Sequence, residues 1–527
     1  MRGLPARAWD VVALAAGLVA ALGLAPLHVL PALWIAFPAL VLVLDAARTR
    51  WAAARAGWLF GTGYFLGGLW WIGDAFFVDG GWLLAVMPFA VLGLAAGLGL
   101  FFGLGTFLAF LLWSPGPARI LALAAGLGVS EALRGRVLTG FPWNGFGQML
   151  AGSPLLMQPA ALVGAEGLGI LVVLVGALPA VFLGTDRRGA GWMVAAAGVL
   201  VAGGLGYGAV RLAGPGPESV PGLVLRLVQP SVPQETKWQI ASRDAIFDTL
   251  LELSRGPVDG DDPDARVLVI WPESSVPFLL QDAPVAREVI ADALPPHGAL
   301  LAGAVRRGDG PEGDERFFNA LLYMDRRGAL TDVYDKLHLV PFGEYVPFAS
   351  VMNRFGIDPL AVLPGGFSAG EGERRLVLPG VPEGIPLICY EAIFPGIRVP
   401  DFLSGLARPD GRAGWILNVT NDAWFGETPG PLQHFAQARL RAVEEGLPLV
   451  RVGNTGVTAV VDAAGRIHAR LPMGAVARLD ATLPEAGPET PFARLGAIPA
   501  AGAVVVCAAL AWNARRRRLR IQFASPD

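Results

Sequence analysis

Three side chains at the ends of strand-like segments could together carry out covalent chemistry. Val267 to Trp271 followed by Pro272 delivers Glu273, Tyr334-Asp335 delivers Lys336, and Ile385 to Ile388 delivers Cys389. The chain has two cysteines, and Cys507 lies in an apolar run near the C-terminus, so neither a disulfide nor a metal cluster is indicated. A lone thiol at the carboxyl end of a strand is placed to act as a nucleophile, or else it packs in a core as a small hydrophobe. Acyl transfer through sulfur needs a base, because a free thiol has a pKa near ~8.5 and the thiolate is what attacks. It also needs a donor facing the developing oxyanion, worth roughly 2.7–4 kcal/mol. Glu273 as base, Lys336 as cation and Cys389 as nucleophile fill these roles. Singly, Glu273 reads equally well as a solvated loop residue and Lys336 as the surface partner of Asp335; their joint occurrence in this order is the stronger signal.

The elements that must hold these groups are short. Leu223–Val228, Val267–Trp271, Ala299–Ala304, Ala320–Met324, Ile385–Ile388, Ile416–Val419, Leu449–Val452 and Thr458–Val461 read as strands, and Asp244–Ser254 and Leu432–Glu445 as helices. Strands alternating with helices predict a layered α/β domain.

The rest of the chain is built for lipid. The sequence is 54% hydrophobic and 16% charged, and residues 1–212 hold only seven acidic side chains. A helix needs roughly 20 apolar residues to span a bilayer. Seven candidates occur at about 9–26, 30–46, 56–73, 84–112, 118–134, 158–184 and 190–210, and an eighth at about 495–513. Arginines follow alternate spans: Arg48, Arg50 and Arg55; Arg119; Arg187 and Arg188; and Arg515 to Arg518 with Arg520. The intervening loops 25–31 and 74–81 carry no Lys or Arg, so the positive-inside rule predicts cytoplasmic termini and an outer-side domain over 213–490. The expected division is 1–212 membrane domain, 213–490 catalytic domain, 491–514 eighth span and 515–527 basic tail. Trp70, Trp71, Trp82 and Trp143 read as interfacial anchors. Arg134 and Arg136 break the charge pattern, either as lipid-headgroup contacts or as ion-pair partners of Glu131 and Glu166. The apolar segment 348–364 reads either as an arm dipping into lipid or as a loop packed on its own domain. No basic stripe with interleaved aromatics points to nucleic acid, and the five histidines lack metal-ligand spacing.

Trp271-Pro-Glu273-Ser, Tyr334-Asp-Lys336-Leu-His-Leu-Val-Pro-Phe-Gly-Glu344 and Ile388-Cys389-Tyr390-Glu391 resemble the three signature segments of the nitrilase superfamily. With the flanking spans, the resemblance is to its membrane-bound apolipoprotein N-acyltransferase family. Leu138-Thr-Gly-Phe-Pro-Trp143, Val228–Gln234 with Lys237-Trp238, and Thr420-Asn-Asp-Ala-Trp424-Phe-Gly426 through His434 match as well.

That resemblance implies an αββα sandwich and a Glu273–Lys336–Cys389 triad in a bacterial inner membrane, with the catalytic domain periplasmic. It implies a phospholipid acyl donor, a diacylglyceryl-modified lipoprotein acceptor, and no cofactor or metal. Glu344 would support the triad by orienting Lys336, while Tyr390, Glu391 and Trp238 would line the pocket. Asn421, Asp422 and Trp424 would shape the adjacent loop, and His434 would be a structural hydrogen-bond partner. Two rivals are a membrane-anchored amidohydrolase using water as acceptor and a transporter with an appended domain. The absence of inverted repeats argues against the second.

Overall fold

In the computed structural model, residues 5–81, 83–183, 189–258, 264–310, 313–347, 366–372, 375–396 and 412–524 are described. Trp82 and the segment 348–364 lie outside them.

Seven apolar helices come first: α1 (Ala6–Ala21), α2 (Leu33–Ala46), α3 (Arg50–Leu69), α4 (Leu83–Leu111), α5 (Arg119–Arg134), α6 (Ala160–Ala177) and α7 (Ala190–Ala213). They overlap the seven N-terminal segments read as spans, with α3 taking in Arg50 and Arg55, which were read as loop arginines. Among the described residues, four helical segments are long and apolar enough to cross a membrane: Leu83–Leu111, Ala160–Phe182, Ala190–Ala213 and Ile498–Arg520. Phe37, Phe60, Tyr64, Phe102 and Phe146 fill the middle of the bundle.

Two sheets follow. β1 (Ser219–Gln229), β2 (Arg266–Trp271), β3 (Gly298–Asp309), β4 (Glu315–Met324) and β5 (Leu330–Asp335) join a late strand, β11 (Ala477–Pro484), in the order β11-β1-β2-β3-β4-β5. β6 (Gly384–Ile388), β7 (Trp415–Thr420), β8 (Leu449–Gly453), β9 (Thr458–Val461) and β10 (Ile467–Leu471) form the second sheet, in the order β10-β9-β8-β7-β6. The pairs β1/β2, β2/β3, β6/β7 and β7/β8 are parallel.

The period-two alternation of strands decides which side chains meet. Leu225, Leu227, Leu268 and Ile270 face Val419, Val450 and Val452 between the sheets. Their neighbours Val228, Val267, Val269 and Trp271 turn outward onto α8 (Arg243–Ser254) and α9 (Pro284–Ala293). On the far side, Ile416, Leu449 and Leu387 pack on Phe435, Ala438 and Ala442 of α10 (Pro429–Glu445). The result is helix, sheet, sheet, helix. β10, β11 and α9 are elements that the sequence pattern did not single out.

Local signals set the ends of α10. The Thr428 hydroxyl accepts from the Gly430 amide, Pro429 opens the first turn, and Gly446 at φ +65° closes the helix in the left-handed region. A final helix, α11 (Ile498–Ala524), returns to the bundle against α5 and α6. It carries the arginine run of the basic tail as a continuation of the same helix.

Candidate active site

Glu273 leaves the end of β2 with its carboxylate fully engaged. Its Oε1 accepts from Asn319 Nδ2 at 2.7 Å and from Lys336 Nζ at 3.3 Å, and its Oε2 accepts from the Asn421 amide at 2.7 Å. The backbone can approach this closely because residue 303 of β3 is a glycine; a Cβ there would lie 2.6 Å from Glu273 Cα. Lys336 leaves the end of β5 and is buried, with Nζ 2.9 Å from Glu344 Oε1. Glu344 also accepts from Asn319 Nδ2 and from the Val340 amide, both at 2.8 Å. Burial disfavours the Lys336 ammonium, but Glu344 and Glu273 outweigh it and hold the pKa well above the ordinary value. Lys336 is therefore a fixed cation rather than a base.

Cys389 leaves the end of β6 in the left-handed region at φ +50°, strained for a residue with a Cβ. It is half-buried. Burial and Glu273 push its thiol pKa up, and Lys336 opposes them. Sulfur at neutral pH thus keeps its proton until a base takes it. Glu391 lies beneath this turn. Its Oε2 accepts from the Ile388 amide at 2.7 Å, and its Oε1 accepts from Tyr334 Oη at 2.9 Å and the Leu337 and His338 amides at 2.8 and 3.1 Å. This carboxylate ties the nucleophile turn to the lysine loop.

Behind the thiol runs a second buried network. His434 Nε2 donates to the Cys389 carbonyl at 3.0 Å, and its Nδ1 lies 2.9 Å from Asp422 Oδ1. Arg451 Nη2 donates to Asp422 Oδ2 at 2.8 Å, and Thr420 Oγ1 donates to Asp422 Oδ1 at 3.0 Å. Against burial, Arg451 and His434 pull the Asp422 pKa down to about 2. The ligand atoms of Cys389, Asp422 and His434 lie within 4.8 Å of one another. The Arg451 guanidinium nevertheless occupies Asp422 and sits 3.1 Å from His434 Nδ1, so this set is already saturated by a cation.

Sequence reading missed several groups here. Asn319 bridges both carboxylates from the middle of β4, and a lone amide at a buried position of an apolar strand was the available signal. Asn454 joins the Val232 carbonyl to Asn421, which in turn donates to Gln234. Lys237, noted only as part of a motif, is buried and donates to the Glu273 carbonyl at 3.2 Å. Burial lowers its pKa to about 8, against Glu273 and Cys389, which raise it. Trp238 beside it is half-buried, as is Trp424.

Residues 16–178 match the N-terminal domain of apolipoprotein N-acyltransferase, and residues 225–485 match the carbon-nitrogen hydrolase family. The apolipoprotein N-acyltransferase of Allorhizobium ampelinum is 45% identical over 491 residues, covering 91% of each chain. That of Bradyrhizobium diazoefficiens is 45% identical over 520 residues, covering 96% of this chain and 95% of its own. That of Rhodopseudomonas palustris is 44% identical, covering 93% of this chain and 92% of its own. The chain belongs to the apolipoprotein N-acyltransferase family.

In this N-acyltransferase family member the catalytic domain is seated on the helical bundle through the polar face of α10. Gln433 Oε1 accepts from both Trp71 Nε1 (3.1 Å) and Trp143 Nε1 (3.0 Å), and its Nε2 donates to the Ala25 and Gly68 carbonyls at 3.2 Å. Gln437 accepts from Gln148, and Glu444 accepts from the Ala165 amide. Trp71 and Trp143 are therefore buried parts of this seam; of the tryptophans read as interfacial anchors, Trp70 is the exposed one among the described residues. An indole N–H needs an acceptor when buried, and Gln433 supplies one to both. Arg134 and Arg136 are ion-paired with Glu131 and Glu166, each at 2.8 Å, so neither is held free for a headgroup.

Proposed function

We propose that this chain moves a fatty acyl group from a membrane phospholipid to the α-amine of an apolipoprotein's diacylglyceryl-cysteine, through a thioester on Cys389. The observation that carries the reading is the joining of Glu273 and Lys336 in one buried cluster, with both acting on the Cys389 thiol. Family membership supplies the substrate class.

Glu273 takes the thiol proton as sulfur attacks the ester carbonyl. Lys336, held cationic by two carboxylates, offsets the oxyanion of the tetrahedral intermediate. Its collapse breaks the ester C–O bond, and the leaving alkoxide takes the proton back from Glu273. The neutral acceptor amine then attacks the thioester, Glu273 removes its extra proton, and the Cys389 thiolate leaves and is reprotonated. Glu344, through Lys336 and Asn319, keeps the cation in place. No step requires a metal or cofactor.

The same reading makes eight spans of α1 to α7 and α11, with both termini cytoplasmic and the catalytic domain over 213–490 periplasmic above an inner membrane. It is supported by the arginine asymmetry of the loops. A thiol that receives its acyl group from phospholipid must open toward the outer leaflet.

The test is intact-protein mass spectrometry after incubation with phospholipid vesicles. Wild type is expected to carry one fatty acyl adduct on Cys389, discharged by a diacylglyceryl lipopeptide. Cys389→Ala is expected to carry none. Adducts that water discharges as fast as lipopeptide would instead assign a hydrolase.

A further inference from the structure

The loop 139–143 belongs to the helical bundle, yet it touches three catalytic-domain side chains that each adjoin a reacting group. The Thr139 backbone stands beside the ring of His338, two residues after Lys336, and that ring packs on Tyr390 with centroids 5.8 Å apart. Tyr390, next to Cys389, donates from Oη to the Gly140 carbonyl at 3.0 Å. His434, which donates to the Cys389 carbonyl, lies under the Trp143 ring with centroids 5.2 Å apart.

The bundle holds this loop from below in an otherwise unfavourable shape. Leu138, Thr139 and Asn144 have φ of +54°, +70° and +57°, and Gly140 has +83°. Arg134 Nη1 donates to the Trp143 carbonyl at 2.7 Å and also to that of Phe141, while Glu131 pairs with the same guanidinium. Gln148 donates to the Pro142 carbonyl at 2.8 Å, and Tyr64 Oη donates to the Asn144 carbonyl at 2.7 Å. Strain stored in two places, this loop and Cys389 itself, persists only where surrounding contacts over-determine it.

We infer that the bundle loop 139–143 is the positioning element of the nucleophile, fixing the Cys389 turn and the lysine loop through Tyr390, His434 and His338. Arg134 is then the loop's brace rather than a lipid contact. A group held this way affects the chemical step more than substrate binding, since a displacement of about 1 Å at a reacting atom costs on the order of 10²-fold. The inference rests on the Cys389 thioester reading.

The experiment uses full-length protein in phosphatidylethanolamine–phosphatidylglycerol vesicles. Two readings are taken: single-turnover acylation of Cys389 against lipid concentration, and iodoacetamide alkylation of Cys389 against pH. Trp143→Ala is expected to slow acylation at saturating lipid by about 10- to 100-fold, with half-saturation unchanged within about twofold and a shifted alkylation profile. Trp143→Phe keeps a ring over His434 and is expected to stay within about threefold of wild type. His434→Gln keeps a donor for the Cys389 carbonyl and is expected to load about tenfold faster than His434→Ala. A Trp143→Ala variant that changes only half-saturation, or that loads at the wild-type rate, overturns the inference. If Trp143→Ala does not accumulate intact, equal loading by His434→Gln and His434→Ala overturns it. A wild type that never acquires an acyl group would instead refute the thioester reading itself.

Discussion

The two sheets bring different chemistry to one site. The six-stranded sheet supplies Glu273, Asn319 and Lys336, with Glu344 on the loop after β5, and each of these groups is held by hydrogen bonds within its own half or across to Asn421. The five-stranded sheet supplies a protonated thiol on a strained turn, held from behind by His434, Asp422 and Arg451 and from the side by the bundle. The acid–base half is rigid because its charges satisfy one another. The nucleophile half is rigid because something outside the sheet leans on it. A buried charge must be paired wherever it sits, whereas a neutral thiol has no such claim on its neighbours, so its geometry has to be imposed.

Five substitutions would sharpen or break that contrast. The largest effect is expected in the acid–base half: Glu273→Gln or Lys336→Met should slow thioester formation by about 10³-fold or more, with the protein still folded in the membrane. Single-turnover acyl loading checks this, and a loss under tenfold would remove the residue from the chemistry. Gly303→Ala comes next. Its Cβ would press on the Glu273 backbone and is expected to cost about 10²-fold in loading with a much smaller change in thermal stability.

In the nucleophile half the expected loss is of stability. Asp422→Asn uncouples a buried carboxylate from Arg451 and is expected to cost about 3–5 kcal/mol, read from the unfolding midpoint in detergent. The Asp422 pKa lies below its ordinary value, at about 2, so its contribution is fully present above pH ~4 and is lost as pH falls through ~2. The variant should therefore lose this part of the acid dependence.

Lys237→Met is the mildest and runs the other way. Its ammonium is buried, with one hydrogen bond to Glu273 O among the described residues, and its depressed pKa means that folding below pH ~8 pays to bury a charge. The shift from 10.5 to about 8 corresponds to on the order of 3 kcal/mol. The variant is expected to be more stable at pH 7, with the difference from wild type shrinking between pH 8 and 10.5, and to load acyl groups about tenfold more slowly. A variant no more stable than wild type would mean that the charge is better paired than the structure indicates.

Much of this was legible beforehand because it is local. The strand cores Leu223–Val228, Val267–Trp271 and Ile416–Val419 show themselves by apolar runs, and the body of α10 by the helical pattern over Leu432–Glu445, while its start at Pro429 behind Thr428 came from the structure. Glu273 and Cys389 could be picked out because each follows such an apolar run, and Lys336 because the segment Tyr334-Asp-Lys336-Leu-His resembles a family signature. The hydrocarbon-length segments before residue 212 need only a count. What stayed hidden depends on partners distant in sequence. Trp71 and Trp143 read as lipid anchors because nothing nearby announces Gln433, more than 280 residues away. The polar residues Gln433, Gln437, Arg441 and Glu444 of α10 are buried, and Gln433, Gln437 and Glu444 bond to the bundle, which the helical pattern over Leu432–Glu445 does not announce.

The amino-acid order on its own singled out residues whose types suit covalent chemistry and segments apolar enough for lipid, since side-chain chemistry and hydrophobic periodicity act over a few neighbouring positions. Only the folded chain decided that Asn319 joins two carboxylates, that Glu391 braces backbone, and that a loop between bundle helices reaches the nucleophile. Those outcomes come from unpaired polar atoms finding partners once burial removes water, and which partner lies within 3 Å is a property of the whole packing.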